Sequence, residues 1–207
     1  MLETFFAMDT ALILTFTGAG ILLNITPGSD VAFSMASGIS GGPRAGVAAA
    51  TGITLGGLTH VFFAVVGISA ALMAVPHAYD IIRYLGAAYL IILAVKTWRA
   101  PPELEKARGA SRLASALKRG YLTNLLNPKV ALFIVAFLPQ FTRPEAGPIW
   151  QQIFILGLIF NASGLVINST YGIAAGLAGH RIIRMGGTLN KITSIVFGGL
   201  AARLIWE

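Results

Sequence analysis

Residues 149–178, IWQQIFILGLIFNASGLVINSTYGIAAGLA, run from Ile149 to Ala178 without one Asp, Glu, Lys or Arg. A helix needs about 20 apolar residues to cross the hydrocarbon core of a bilayer, and this run exceeds that length. Val47–Val75 and Ile81–Val95 meet or approach the same requirement with almost no charge. The whole chain follows suit: it is 56% hydrophobic and only 11% charged, where soluble domains carry about 25% charge. Its 207 residues would allow one or two soluble domains, but the apolar runs override that reading. The sequence predicts an all-α, polytopic integral membrane protein.

Working outward from Ile149–Ala178, the apolar runs give about six transmembrane segments. These are Ala11–Ile39, interrupted at Thr26-Pro27-Gly28; Ala45–Val75, closed by Pro76; Ile81–Trp98; Tyr121–Phe141, interrupted at Asn127-Pro128; Ile149–Ala178; and Thr188–Ile205. The only long polar stretch is Arg99–Arg119. No basic residue comes before Arg44, so the first segment lacks the n-region of a cleavable signal and is expected to stay in the mature protein.

Orientation follows from basic residues in the short loops. Most of the 15 Lys and Arg fall on one side, in Lys96–Arg119, at Arg181, Arg184 and Lys191, and at Arg44. Arg83, Arg143 and Arg203 fall on the other. This places the Arg99–Arg119 loop in the cytoplasm and both termini outside. Basic residues lying in the gaps between apolar runs are orientation signals and lipid-headgroup contacts, and not the single basic face of a nucleic-acid binder. No nucleic-acid partner is expected, despite a net charge of +7.

The chain also repeats itself. Adding 101 to residue numbers carries Pro27 to Pro128 and Pro43, Ala45 and Gly46 to Pro144, Ala146 and Gly147. The same shift carries Leu55-Gly56 to Leu156-Gly157, and Ile81-Ile82-Arg83 to Ile182-Ile183-Arg184. Three crossings per half point the halves in opposite directions, as inverted-repeat transporters do. The expected organisation is a first three-helix repeat over 1–98, a basic cytoplasmic loop over 99–119, and a second, inverted repeat over 120–207.

The first helix of each repeat is broken, at Pro27 and at Pro128. Proline inside a helix removes one backbone hydrogen bond and bars another. Such a break is tolerated at membrane depth where it is buried in protein or lines a wet cavity. The two breaks, Asn24-Ile25-Thr26-Pro27-Gly28-Ser29-Asp30 and Asn124-Leu125-Leu126-Asn127-Pro128-Lys129, bring amides and opposite charges. Each begins a half-helix whose first N–H groups favour anions. Ionisable residues at this depth suggest function. The candidate substrate site is therefore Asn24, Thr26, Pro27, Gly28, Ser29, Asp30, Asn124, Asn127, Pro128 and Lys129. In this reading Lys129 and the half-helix N–H groups hold a carboxylate, and Asp30 holds an ammonium group or a coupling proton. The alternative is that Asp30 and Lys129 pair with each other or snorkel to an interface.

His60, at mid-segment, is a second proton-coupling candidate, or else a helix-packing histidine bonded to a carbonyl. Asn168 and Thr170 read as polar packing groups. Gly52-x-x-x-Gly56 and Gly172-x-x-x-Gly176 allow close helix approach, within the protomer or across a homodimer.

At these residues the sequence resembles the lysine exporter (LysE-type) family of translocators, which includes homoserine and threonine efflux proteins. The resemblance covers essentially the whole chain. It rests on Thr26-Pro27-Gly28-Ser29-Asp30, Gly41-Gly42-Pro43-Arg44-Ala45-Gly46 and Gly86-Ala87-Ala88-Tyr89-Leu90, and on two later stretches. These are Gly120-Tyr121-Leu122-Thr123-Asn124-Leu125-Leu126-Asn127-Pro128-Lys129 and Phe137-Leu138-Pro139-Gln140-Phe141. The family usually has Pro-Gly-Pro where this chain has Pro27-Gly28-Ser29. The resemblance implies a secondary transporter of the bacterial inner membrane that exports amino acids or close derivatives, driven by the proton gradient and needing no cofactor.

Other classes lack their chemistry. An intramembrane enzyme needs a nucleophile–base pair or a metal cluster, and neither HExxH nor Gly-x-Ser-x-Gly occurs. No cysteine is present, and His60, His77 and His180 lie on separate segments, which weighs against a soft-metal exporter. An exporter of another small solute and a purely structural subunit are the remaining alternatives.

Overall fold

The computed structural model of the protein describes residues 1–74, 78–99 and 107–178, together with residues 191, 194–195, 198–199 and 201–202. All its elements are helical. They are α1 (Leu2–Ala7), α2 (Thr10–Ile25), α3 (Ser29–Ala74), α4 (Ala78–Arg99), α5 (Leu113–Leu125), α6 (Pro128–Leu132) and α7 (Ile149–Ala178). The predicted fifth segment is α7, residue for residue. Most of the predicted sixth, Thr188–Ile205, lies outside the described residues, as do Arg181 and Arg184.

The other long helix, α3, is not straight. Gly42 adopts φ 77° and ψ 179°, a left-handed backbone that an L side chain would strain, and Pro43 follows it. Phe33 packs with Ala49 and Ile53 in one buried cluster, although a straight helix would hold Phe33 and Ala49 about 24 Å apart. The chain therefore doubles back at Gly42, between the predicted end of segment one and the start of segment two. Residues 29–41 form one limb and 43–74 the other. A Cβ on Gly46 would come within 2.6 Å of the Gly172 backbone, so α7 seats directly on this turn.

Residues 149–178 are long and apolar enough to span a membrane; residues 29–67 match them in length and composition, but the turn at Gly42 divides that stretch between the two limbs of α3. Residues 113–125 and 128–141, bent by 51° at the break, make a third span when taken together. The helix α2 is apolar too, but its 16 residues reach about 24 Å, short of the roughly 30 Å hydrocarbon core. Among the described residues there are thus two candidate spans, or three with the bent pair, where hydropathy predicts about six.

Beyond α6 the chain widens into a π-turn over Phe133–Phe137 and tightens into a 3-10 turn over Leu138–Phe141. Pro139 has no N–H to continue an α-helical ladder, which accounts for the change of pitch. Phe133, Phe137 and Phe141 recur every four residues and so share a face. Their rings lie 4.8 and 4.7 Å apart in succession, with Phe16 of α2 5.4 Å from Phe141 and Phe160 of α7 5.1 Å from Phe133. This aromatic core fastens the second half-helix to α2 and α7.

One boundary differs from expectation. The polar stretch Arg99–Arg119 is not all loop, because α5 already begins at Leu113. Small residues drive it: Ala116 and Gly120 are buried, and a Cβ on Gly120 would meet the Ala49 carbonyl. Arg119 stays polar by donating to the Arg108 and Gly109 carbonyls while lying 5.2 Å over the Phe33 ring. Both small-x-x-x-small motifs are used inside the protomer: Gly52 and Gly56 face α5, and Gly172 and Gly176 face the Gly42 turn.

Candidate functional site

The two proline breaks lie against each other. Leu23, Asn24, Thr26, Gly28, Asp30 and Val31 from the first line one cavity with Asn127, Lys129 and Val130 from the second and Asn168 from α7. The cavity holds ≈ 20 Å³, enough for about one water-sized group. The space between the breaks is therefore narrow in this conformation.

Each break is completed by the ion of the other. A helix that stops short leaves its last carbonyls without partners. At the end of α2, Lys129 Nζ donates to the Leu23 carbonyl at 3.0 Å and the Thr26 carbonyl at 3.2 Å. A cation there also meets the negative end of the helix dipole. Tyr171 Oη donates to the Ile25 carbonyl at 3.2 Å, and the Thr26 N–H to that of Leu22 at 3.0 Å.

In return, Asp30 accepts from the second break. Asn124 Nδ2 donates to Asp30 Oδ2 at 2.7 Å, and Asn127 Nδ2 to Asp30 Oδ1 at 3.0 Å. Asp30 sits in the first turn of α3, where a carboxylate is favoured by the helix N-terminus. Asn127 also serves its own helix, because its Oδ1 caps α6 by accepting the Lys129 N–H at 3.0 Å. That N–H, expected from sequence to be open to a substrate anion, is already engaged. The amide of Asn127 is thus fixed in orientation, since both of its ends are used.

Of the residues singled out from sequence, Asn24, Thr26, Gly28, Asp30, Asn127 and Lys129 come together on the cavity wall. Asn124 joins them through its bond to Asp30. Pro27 and Pro128 set the breaks without lining the cavity, and Ser29 is exposed, with a long 3.4 Å contact to Asp30. Asn24 donates to the Phe160 carbonyl and Ser163 Oγ, so it ties the first break to α7. His60 lies on the second break: its Nε2 is 3.1 Å from the Asn124 carbonyl, which also receives the Asn127 N–H. Facing a carbonyl, that nitrogen must carry a proton and donate. Among the described residues no three His, Asp or Glu side chains converge to hold a metal ion.

Sequence reasoning missed the tyrosines. Tyr89 Oη donates to the Lys129 carbonyl at 3.2 Å, with the Pro128 carbonyl at 3.4 Å, so each break receives one phenol. The signal that could have found them is a polar-tipped aromatic inside an apolar helix, which needs a partner when buried. Asn168, read as packing, proves to line the cavity.

The profile of the LysE type translocator family matches residues 21–207. An uncharacterized membrane protein of Vibrio cholerae is 29% identical over 93% of this chain and 94% of its own length. A leucine efflux protein of Klebsiella pneumoniae is 30% identical over 92% of this chain and 93% of its own. A homoserine/homoserine lactone efflux protein of Salmonella typhimurium is 32% identical, covering 85% and 87%. No solved structure matches the chain.

Proposed function

From the premise that the chain belongs to the LysE type translocator family, and is a transporter and not an enzyme, we propose that it exports an amino acid or close derivative from the bacterial cytoplasm across the inner membrane. The observation that carries this reading is the reciprocal brace at the two breaks, a carboxylate and an ammonium group lining one narrow cavity. A zwitterion presents the complementary pair of charges. It can substitute for parts of the brace while the cavity opens, its carboxylate toward Lys129 and its ammonium toward Asp30. Relatives named for leucine and for homoserine efflux support an amino-acid substrate.

Export against a gradient needs an energy source, and Asp30 is the group we assign to the coupling proton. As a carboxylate it accepts an amide N–H on each oxygen. Once protonated it becomes a donor at one oxygen, a poorer acceptor there, and the amide bond at that oxygen weakens. Protonation thereby loosens the grip between the breaks. The groups facing Asp30 are Asn124, Asn127, Ser29 and Lys129, and His60 reaches it only through the Asn124 backbone.

We take the two halves as inverted repeats that rock about the breaks, with the basic loop in the cytoplasm and both termini outside. The shared order of elements supports this: a helix ending before a proline, a half-helix, a turn with a positive-φ glycine, then a long apolar helix. Counterflow in proteoliposomes against labelled amino acids, leucine and homoserine included, tests the function. Uptake should occur and should respond to an imposed pH gradient. No uptake of any amino acid by folded protein would overturn the reading.

A further inference from the structure

We infer that Asn168 is a specificity residue of this site, its Oδ1 accepting a hydrogen bond from the ammonium group of the substrate; the inference rests on amino-acid export as proposed above. Asn168 lies within α7 and is 3% exposed. Its Nδ2 is tied back to the Gly164 carbonyl at 2.9 Å, while its Oδ1 is enclosed and has no hydrogen-bond partner. Buried polar atoms are nearly always paired, so this oxygen is open to a donor. Among the described residues three other buried side-chain atoms share this condition, Ser34 Oγ, Asn124 Oδ1 and Gln140 Oε1. None of those residues lines the cavity; Asn168 does.

The rest of the wall narrows the choice of ligand group. Asn127 has both ends of its amide engaged, by Lys129 N–H and Asp30. Asn24 spends its amide nitrogen on α7. Lys129 can only donate. The unpaired Asn168 oxygen and the Asn24 amide oxygen are therefore the neutral side-chain amide acceptors of a wall that also carries the Asp30 carboxylate, and of the two only that of Asn168 is enclosed without a partner. A cavity of ≈ 20 Å³ admits one group of water size, and –NH₃⁺ is such a group. Water fits the volume as well, and on the same wall Asp30 attracts a cation while Lys129 repels one, so water is one of the outcomes that the experiment distinguishes. Asn168 is also held firmly: Tyr171, three residues on and so on the same helical face, anchors α7 to Ile25 of the first break.

The experiment separates the two ends of the substrate. Purified protein is equilibrated with labelled leucine and challenged with leucine amide, which keeps the ammonium and loses the carboxylate, and with 4-methylpentanoate, which does the reverse. Homoserine and its corresponding analogues replace these where counterflow shows homoserine to be the solute carried. In Asn168→Leu, affinity for leucine and its amide should fall about tenfold to hundredfold, with 4-methylpentanoate nearly unchanged. Asn168→Asp keeps an acceptor, serves where the leucine variant does not fold, and should shift the ratio of the two competitors toward the amide. Equal losses for all three ligands would mark Asn168 as a packing residue. No change in any would mark its partner as water, and either result overturns the inference while leaving amino-acid export standing. Failure of the folded wild-type protein to bind any of these ligands overturns export itself, and this inference with it.

Discussion

The two breaks look alike in sequence but are satisfied in opposite ways. The second is largely self-sufficient: Asn127 caps its own half-helix, the Leu126 N–H returns to Leu122, and the Asn127 N–H returns to Asn124. The first is not. Its Leu23 and Thr26 carbonyls take their donors from Lys129 of the other half, and its Ile25 carbonyl takes one from Tyr171. The second break is thus the frame and the first the dependent part. On the rocking motion proposed above, parting the two breaks would expose carbonyls at the first, where water or substrate would replace Lys129.

The largest effect should follow from removing the donor on which the first break depends. In Lys129→Met, two carbonyls at the end of α2 lose their cation and Asp30 loses a compensating charge nearby. A hydrogen bond made by a charged group is worth about 1.5–3 kcal/mol, so thermal unfolding in detergent should drop markedly and counterflow should vanish. A variant as stable as wild type would show that the first break has another support. Asp30→Asn should be gentler on the fold, because the self-capped second break survives, yet it should reduce transport at least about tenfold. It should also remove the response to the pH gradient. Persistence of that response would move the coupling proton elsewhere. The double variant should be less destabilised than the sum of the singles, since both residues act on one structure.

How much of this was legible beforehand depended on the kind of signal. Runs without charge marked α7 to the residue, because hydropathy and helix length are both local properties. The breaks were legible because proline acts on its own backbone. The start of α5 was not, since Ala116 and Gly120 form a packing face through smallness and not through hydrophobicity. Sequence placed Asp30 and Lys129 near one another but suggested that they meet a substrate or each other directly. The structure interposes amides and carbonyls, and nothing local in the chain tells Lys129 to reach residues 106 and 103 positions away. Tyr171 and Tyr89 announce only a need for some partner, because each hydroxyl is defined by a distant one.

Those tyrosines sharpen the contrast at smaller scale. Tyr171→Phe removes a donor from Ile25, the last residue of α2, whose carbonyl has no following turn to serve it. Tyr89→Phe removes one from Pro128 and Lys129, whose carbonyls lie inside a continuing helix; that of Lys129 is also served by the Phe133 N–H. The first substitution should cost about 1 kcal/mol and the second clearly less, read as melting temperatures in the same detergent. Equal costs would erase the distinction between a dependent and a self-sufficient break.

The smallest effect is expected at His60, the other residue that sequence nominated for proton coupling. Its Nε2 donates to the Asn124 carbonyl, which already receives the Asn127 N–H. A carbonyl with two lone pairs loses little when one of two donors goes, so the second break should hold. Asn124 also keeps its side-chain bond to Asp30, because that bond uses Nδ2 and not the backbone. His60 itself does not line the cavity. His60→Gln, able to donate to the same carbonyl but not to titrate, should therefore keep transport within about twofold and leave its pH profile in place, whereas a relay histidine would lose the profile between about pH 5 and 8. The decisive measurement is counterflow across that range for wild type and His60→Gln side by side. Matching curves leave the coupling proton on Asp30, at the joint between the frame and the dependent break.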